Sequence, residues 1–108
     1  KSHDTFGPIG PYLVTKDEIN DVNNLNMELD LNGERMQTGN TKTMIFNVDH
    51  IVSYVSRYMS LQPGDIITTG TPPGVGMGMK PQKFLKAGDE MRLSIELLGE
   101  QKSKVVAI

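Results

Sequence analysis

Cysteine is absent from the 108 residues. A disulfide scaffold, a Cys-ligated zinc site and a Cys nucleophile are therefore excluded within this chain. The absence fits a reducing compartment, and a cytoplasmic location is the corresponding expectation. An excess of one charge is also missing. Eleven Lys and Arg against thirteen Asp and Glu leave a formal net charge of −2. No like-charge block forms a nucleic-acid-binding tail, and Lys80, Lys83 and Lys86 make a poor footprint for nucleic acid at this charge. No apolar run approaches the roughly 18 residues that would span a bilayer. Neither nucleic acid nor a membrane is an expected partner. Nothing at the start resembles a signal peptide. The chain opens at Lys1 in turn-rich sequence. We read Lys1 as an internal residue of a longer protein, with removal of an initiating Met as the alternative.

What is present suits a globular domain. Hydrophobic residues make up 37% and charged residues 22%, so the composition of disorder is absent. A chain of this size can bury roughly two-thirds of its unfolded surface and would have a radius near ~13 Å if compact.

Hydropathy patterning predicts α+β architecture, strand-dominated, with mixed or antiparallel sheets and one main helix. Leu25 to Leu31 alternates apolar and polar without a miss, placing Leu25, Met27, Leu29 and Leu31 on one face. Asn32-Gly33 follows and suits a type I′ turn, so Glu34 to Thr38 is expected to return as a second strand. Val48, Ile51, Val52, Val55 and Met59 recur at helical spacing, Asn47 can cap and Pro63-Gly64 stops the element. A helix near 48–60 is predicted. Tyr12-Leu13-Val14 and the β-branched run Asp65 to Thr69 read as further strands. Glu90 to Leu97 alternates with Met91, Leu93, Ile95 and Leu97 inward, and Gln101 to Ile108 can pair back. The total is five or six strands. Leu61-Gln62-Pro63-Gly64-Asp65 and Leu85-Lys86-Ala87-Gly88-Asp89 echo each other as Gly-Asp turns opening a strand.

Candidate chemistry is sparse. The loop from Gly70 to Gly78 is neither a P-loop nor a dinucleotide fingerprint. Gly70 permits a close backbone approach, and Thr71 offers a hydroxyl and an amide to an anion or carbonyl. A long decorated turn is the plainer reading. Lys1, His3, Asp4 and Thr5 form a polar cluster before the rigid Phe6 to Pro11 loop, and on spacing alone read as a solvated terminus. Glu28 and Asp30 lie two apart on one strand face, where carboxylates can contribute to a Mg²⁺ or Ca²⁺ site, but an exposed polar face is favoured. His50 reads as a surface or boundary residue. Met77, Met79 and Phe84 suit an apolar lid or ordinary packing. No complete catalytic set is present.

The loops carry more specific information. Lys1-Ser2-His3-Asp4-Thr5-Phe6-Gly7-Pro8-Ile9-Gly10-Pro11, then Asn32-Gly33-Glu34, Gly39-Asn40-Thr41, Met44-Ile45-Phe46, the run Leu61 to Gly76 and Ala87-Gly88-Asp89 occur in that order. Together they resemble the fumarylacetoacetate hydrolase family over nearly the whole chain, at the carboxyl-terminal half of its catalytic domain. His3 stands where the family usually has an aromatic, which affects packing there.

The resemblance implies residues 1–108 as a carboxyl-terminal portion whose upstream half, with the acidic metal ligands, is not in this sequence. It implies a homodimer, a small keto-acid substrate and a divalent metal, Mg²⁺ first, with Mn²⁺ or Ca²⁺ as alternatives. The implied reaction is hydrolysis, isomerisation, decarboxylation or lysis of a 2-oxo or 1,3-dioxo acid through a metal-bound enolate. By motif, Lys1 is the active-site lysine, with its backbone oxygen near the metal. Thr5 lies close to the metal, and Thr71, with Gly70, binds substrate oxygens. Lys1 and Thr71 would together steady a growing oxyanion. The chain by itself would be inactive. The alternative function is a non-catalytic β-rich binding or dimerisation module of the same fold.

Overall fold

The computed structural model describes residues 3–107. Four strands and one α-helix form its regular part: β1 (Asn26–Leu31), β2 (Glu34–Asn40), α1 (Val48–Ser56), β3 (Glu90–Ile95) and β4 (Gly99–Lys104). The strands make one antiparallel sheet in the order β2-β1-β3-β4. This is the predicted α+β, strand-dominated class.

The β1–β2 hairpin forms where its turn chemistry demands. Leu31 pairs with Glu34 across Asn32-Gly33, and both turn residues have positive φ, 52° and 81°, as a type I′ turn requires. One side of the sheet carries Met27, Leu29 and Leu31 beside Ile95, Leu93 and Met91. A register shift between Leu29 and Asp30 then sets Gln37, rather than Met36, opposite Leu29. The helix begins at the predicted cap, with the His50 amide donating to Asn47 Oδ1 at 2.8 Å. Asn23 ties the preceding linker to it: its side chain accepts from the Val48 amide and donates to Asp49.

Several expectations are corrected. The helix stops at Ser56, and the Arg57 and Tyr58 amides donate to the Tyr54 and Val55 carbonyls three residues back in tightened turns. Tyr12-Leu13-Val14 is irregular; it lies across a sheet face instead of joining an edge. The echoed turns form alike: Gln62 and Lys86 amides each donate to the aspartate three residues on, at 2.7 Å. A strand opens only after the second. Strand β3 has β1 and β4 on either side, whereas 65–69 has no strand partner among the described residues, and a ladder needs one. Leu97 is not inward. It sits in the β3–β4 turn at φ 65° and is exposed.

The core is thinner than the composition permits. Ile19, Leu25 and Leu31 are the buried apolar side chains among the described residues, while Ile9, Leu13, Ile45, Tyr58 and Met77 lie open. The radius of gyration is 15.4 Å, above the ~13 Å of a compact chain this long. The long loops splay from one small sheet, so much apolar surface stays uncovered.

Candidate functional site

The apolar side of the sheet is the floor of a cleft of about 500 Å³. Met27, Leu29, Leu93 and Ile95 pave it, with Gln37 and Gln101 as polar points. Pro8 to Gly10 and Tyr12 to Val14 form one wall, and Thr71-Pro72 forms part of the rim. Two segments sixty residues apart in sequence thus meet over one floor, and both belong to the motifs singled out above.

Glycines allow the walls to come close. A Cβ on Gly99 would lie 2.6 Å from Tyr12 Oη, so only glycine lets the tyrosine cross β4 there. A Cβ on Gly39 would lie 2.6 Å from Pro72 Cβ, which lets the Thr71 loop settle on β2. Gln101 Nε2 donates to the Gly10 carbonyl at 3.3 Å, tying the first wall to the floor.

Thr71 is exposed at the rim. Its Oγ1 accepts from Gln37 Nε2 at 2.9 Å, and the same amide donates to the Pro72 carbonyl at 2.7 Å. Gln37 is 9% exposed. It was not singled out from sequence. A plain hairpin register puts it on the polar side, and only the bulge turns it inward. Strand β2 is polar at nearly every position, with Met36 its one large apolar side chain, so its sequence carries no signal that singles out Gln37.

The other sequence candidates are placed differently. Lys1 lies outside the described residues. Thr5 is exposed in a turn where the Phe6 amide donates to the His3 carbonyl, and it is not among the residues lining the cleft. Gly70 has φ 108°, and a Cβ there would meet nothing within 4 Å. Its conformation, not a close approach by this chain, explains the glycine. His50 stacks between Phe46 and Tyr54 on the helix surface, with ring centroids 4.8 and 6.2 Å away. Met77 and Phe84 are exposed.

Glu28 and Asp30 do not form a metal pair. Arg35 bridges both, and Arg92 reaches Asp30 at 3.0 Å and Glu100 at 2.5 Å. Hydrogen bonding from Arg35 holds the Asp30 carboxyl below its ordinary range, against partial desolvation and with help from Arg92. Arg92 does the same for Glu100. These acids are committed to a cross-strand network on the polar side. No group of three or more His, Cys, Asp or Glu able to hold a metal occurs among the described residues. The residues described here therefore do not by themselves fit a divalent ion. No helix among them is long and apolar enough to cross a membrane.

Comparison with known proteins agrees with the site's motifs. The family model described as fumarylacetoacetate hydrolase, C-terminal, matches residues 1–106. A 2,4-didehydro-3-deoxy-L-rhamnonate hydrolase from Sphingomonas sp. (strain SKA58) is 63% identical over 106 residues, covering 97% of this chain and 37% of that protein. The structure of a fumarylacetoacetate hydrolase from Exiguobacterium antarcticum superposes with a TM-score of 0.90 at 46% identity, covering 94% of this chain and 36% of that one. Maleylpyruvate hydrolase from Sphingobium sp. SYK-6, in complex with manganese(II) and pyruvate, superposes with a TM-score of 0.87 at 39% identity, covering 96% and 37%. The chain thus spans little more than a third of the length of the curated relatives it matches.

Proposed function

The chain belongs to the fumarylacetoacetate hydrolase family, and on that premise we propose that it is the carboxyl-terminal part of an enzyme that hydrolyses a carbon–carbon bond of a 2,4-dioxo acid. The observation that carries this reading is the meeting of the loop at Pro8 to Gly10 and Thr71 around one cleft. The identity to a hydrolase of a 2,4-dioxo sugar acid and the pyruvate bound to a related hydrolase support the substrate class.

In such a reaction, water adds to the C4 carbonyl and the C3–C4 bond breaks. The electron pair passes to C3 and is shared with the 2-oxo oxygen as an enolate. A proton at C3 then releases a 2-oxo acid, and the other fragment leaves as a carboxylic acid. Thr71 donates its hydroxyl proton to an oxygen of the 2-oxo-acid end, with the backbone at Gly70 turned to present it. Lys1 places its ammonium beside the growing negative charge. Both act where charge develops, which is where fixed donors lower a barrier. The apolar floor excludes water around the substrate chain.

A divalent metal, Mg²⁺ with Mn²⁺ or Ca²⁺ as alternatives, supplies Lewis-acid charge to chemistry of this kind. Its acidic ligands would come from outside this chain, and Thr5 and the Lys1 backbone oxygen would be this chain's contributions. The uncovered apolar surface suits burial against that remainder and against a second copy in a homodimer.

The test is Thr71→Val in the full-length protein, assayed on a 2,4-dioxo acid. Loss of one hydrogen bond to a charged oxygen should lower kcat/KM by about tenfold or more. An unchanged kcat/KM would remove this loop from the substrate site. Keto-acid binding that ignores a chelator, with no turnover, would instead favour a binding module.

A further inference from the structure

We propose that Gln37 is a positioning residue that holds the Thr71 hydroxyl as a hydrogen-bond donor toward the 2-oxo-acid oxygen. This rests on the assignment of Thr71 to the substrate and adds to it how that hydroxyl is aimed. Gln37 lies on the apolar side of the sheet, opposite Leu29, and is more than nine-tenths buried. A primary amide in such a place is costly unless its N–H groups are bonded. Gln37 Nε2 meets Pro72 O at 2.7 Å and Thr71 Oγ1 at 2.9 Å.

The direction of these bonds is decided by chemistry. The Pro72 carbonyl is only an acceptor, so the amide end facing it must be the NH₂. The same NH₂ then donates to Thr71 Oγ1 and cannot take the threonine's proton. That proton is left with the Pro72 carbonyl at 3.3 Å, a longer contact to an oxygen that Gln37 already serves at 2.7 Å. Residue 72 is proline and offers no N–H to compete. A ligand oxygen arriving at the rim therefore meets a hydroxyl whose lone pair is engaged and whose proton is the available group.

The experiment measures pyruvate affinity by calorimetry on the full-length, Mn²⁺-loaded protein carrying Gln37→Met, Thr71→Val or both. Gln37→Met keeps the length of the side chain and removes both donors. Each single change should weaken pyruvate binding about tenfold, and the pair should be no weaker than Thr71→Val alone. If Thr71→Val weakens binding and Gln37→Met does not, the positioning role is wrong while the Thr71 assignment survives. An equal loss from Gln37→Met in the Thr71→Val background also overturns it, since Gln37 would then act by another route. If Thr71→Val has no effect, both fall.

Should Gln37→Met fail to fold, Gln37→Glu gives an independent reading. Its carboxylate accepts at about pH 8 and would draw the Thr71 proton away from the ligand. Burial raises a carboxyl pKa, so lowering the pH brings in an acid form whose single O–H is shared between the Pro72 carbonyl and Thr71 Oγ1. Pyruvate affinity, taken relative to the unsubstituted protein at each pH, should be lost at about pH 8 and recover at most in part as the pH falls. Affinity equal to that of the unsubstituted protein at about pH 8, where the carboxylate can only accept, overturns the proposal.

Discussion

Gly74 lies so close over the Met36 carbonyl that a Cβ on residue 74 would stand 2.1 Å from the oxygen. The loop carrying Thr71 is thereby pressed onto β2, one residue from the Gln37 amide that grips it. Gly74 also has φ 107°, so two independent demands fall on one position.

Gly74→Ala should therefore be far more disruptive than an ordinary turn substitution. We expect a loss of about 2–4 kcal/mol in denaturant unfolding, with displacement of the Thr71 loop. Gly64 is the control. It has φ 97°, yet nothing lies within 4 Å of a Cβ there, so Gly64→Ala should cost only about 1–2 kcal/mol, from backbone conformation alone. Equal losses at the two positions would mean that the contact with Met36 is not what restricts residue 74.

The Asp30 carboxyl titrates below its ordinary value because Arg35, and then Arg92, favour its charged form. Its unfolded value is near ~3.9. A depressed folded pKa adds stability above the unfolded value and loses it as pH falls through the folded one. The difference in Tm between the protein and Asp30→Asn should hold from about pH 7 to about pH 5 and shrink below about pH 4. A difference that persists at the acid end would assign the effect to packing.

Lys1→Ala in the full-length enzyme should reduce kcat by about 10²–10³-fold, with metal affinity largely retained. Calorimetric metal titration and steady-state turnover together separate the two effects. Turnover equal to that of the unsubstituted protein would take Lys1 out of the reaction.

Chelation should abolish turnover of the full-length enzyme, and added Mg²⁺ or Mn²⁺ should restore it. The isolated 108-residue chain should show no stoichiometric uptake of either ion by calorimetry, because its described residues offer no acidic cluster. Tight 1:1 uptake by the isolated chain would place the ligands here after all.

Much of the local structure was legible from neighbours in sequence. Asn32-Gly33 specified a tight hairpin because few residue pairs accept two positive φ values. The alternation from Glu90 to Ile95 marked β3, and Asn47 marked the helix start through its own side chain. The recurring turns before Asp65 and Asp89 formed alike, because each is closed by a carboxylate three residues along. The loop motifs were enough to identify the family and to single out Thr71.

The remainder depended on what lies across space. The β-branched run at 65–69 is strand-like in composition, but a ladder is made only with a partner. Tyr12 to Val14 are apolar because they roof a cleft, a role that periodicity does not reveal. Most of all, the single extra residue in β2 reversed which of Met36 and Gln37 faces inward. Side chains alternate with a period of two, so a slip of one residue moves a polar amide from solvent to the floor beneath Thr71. Residue types and local spacing determined the turns, the helix start and the family; sheet register and the approach of distant loops determined the site, because both are settled by contacts between segments that no local pattern encodes.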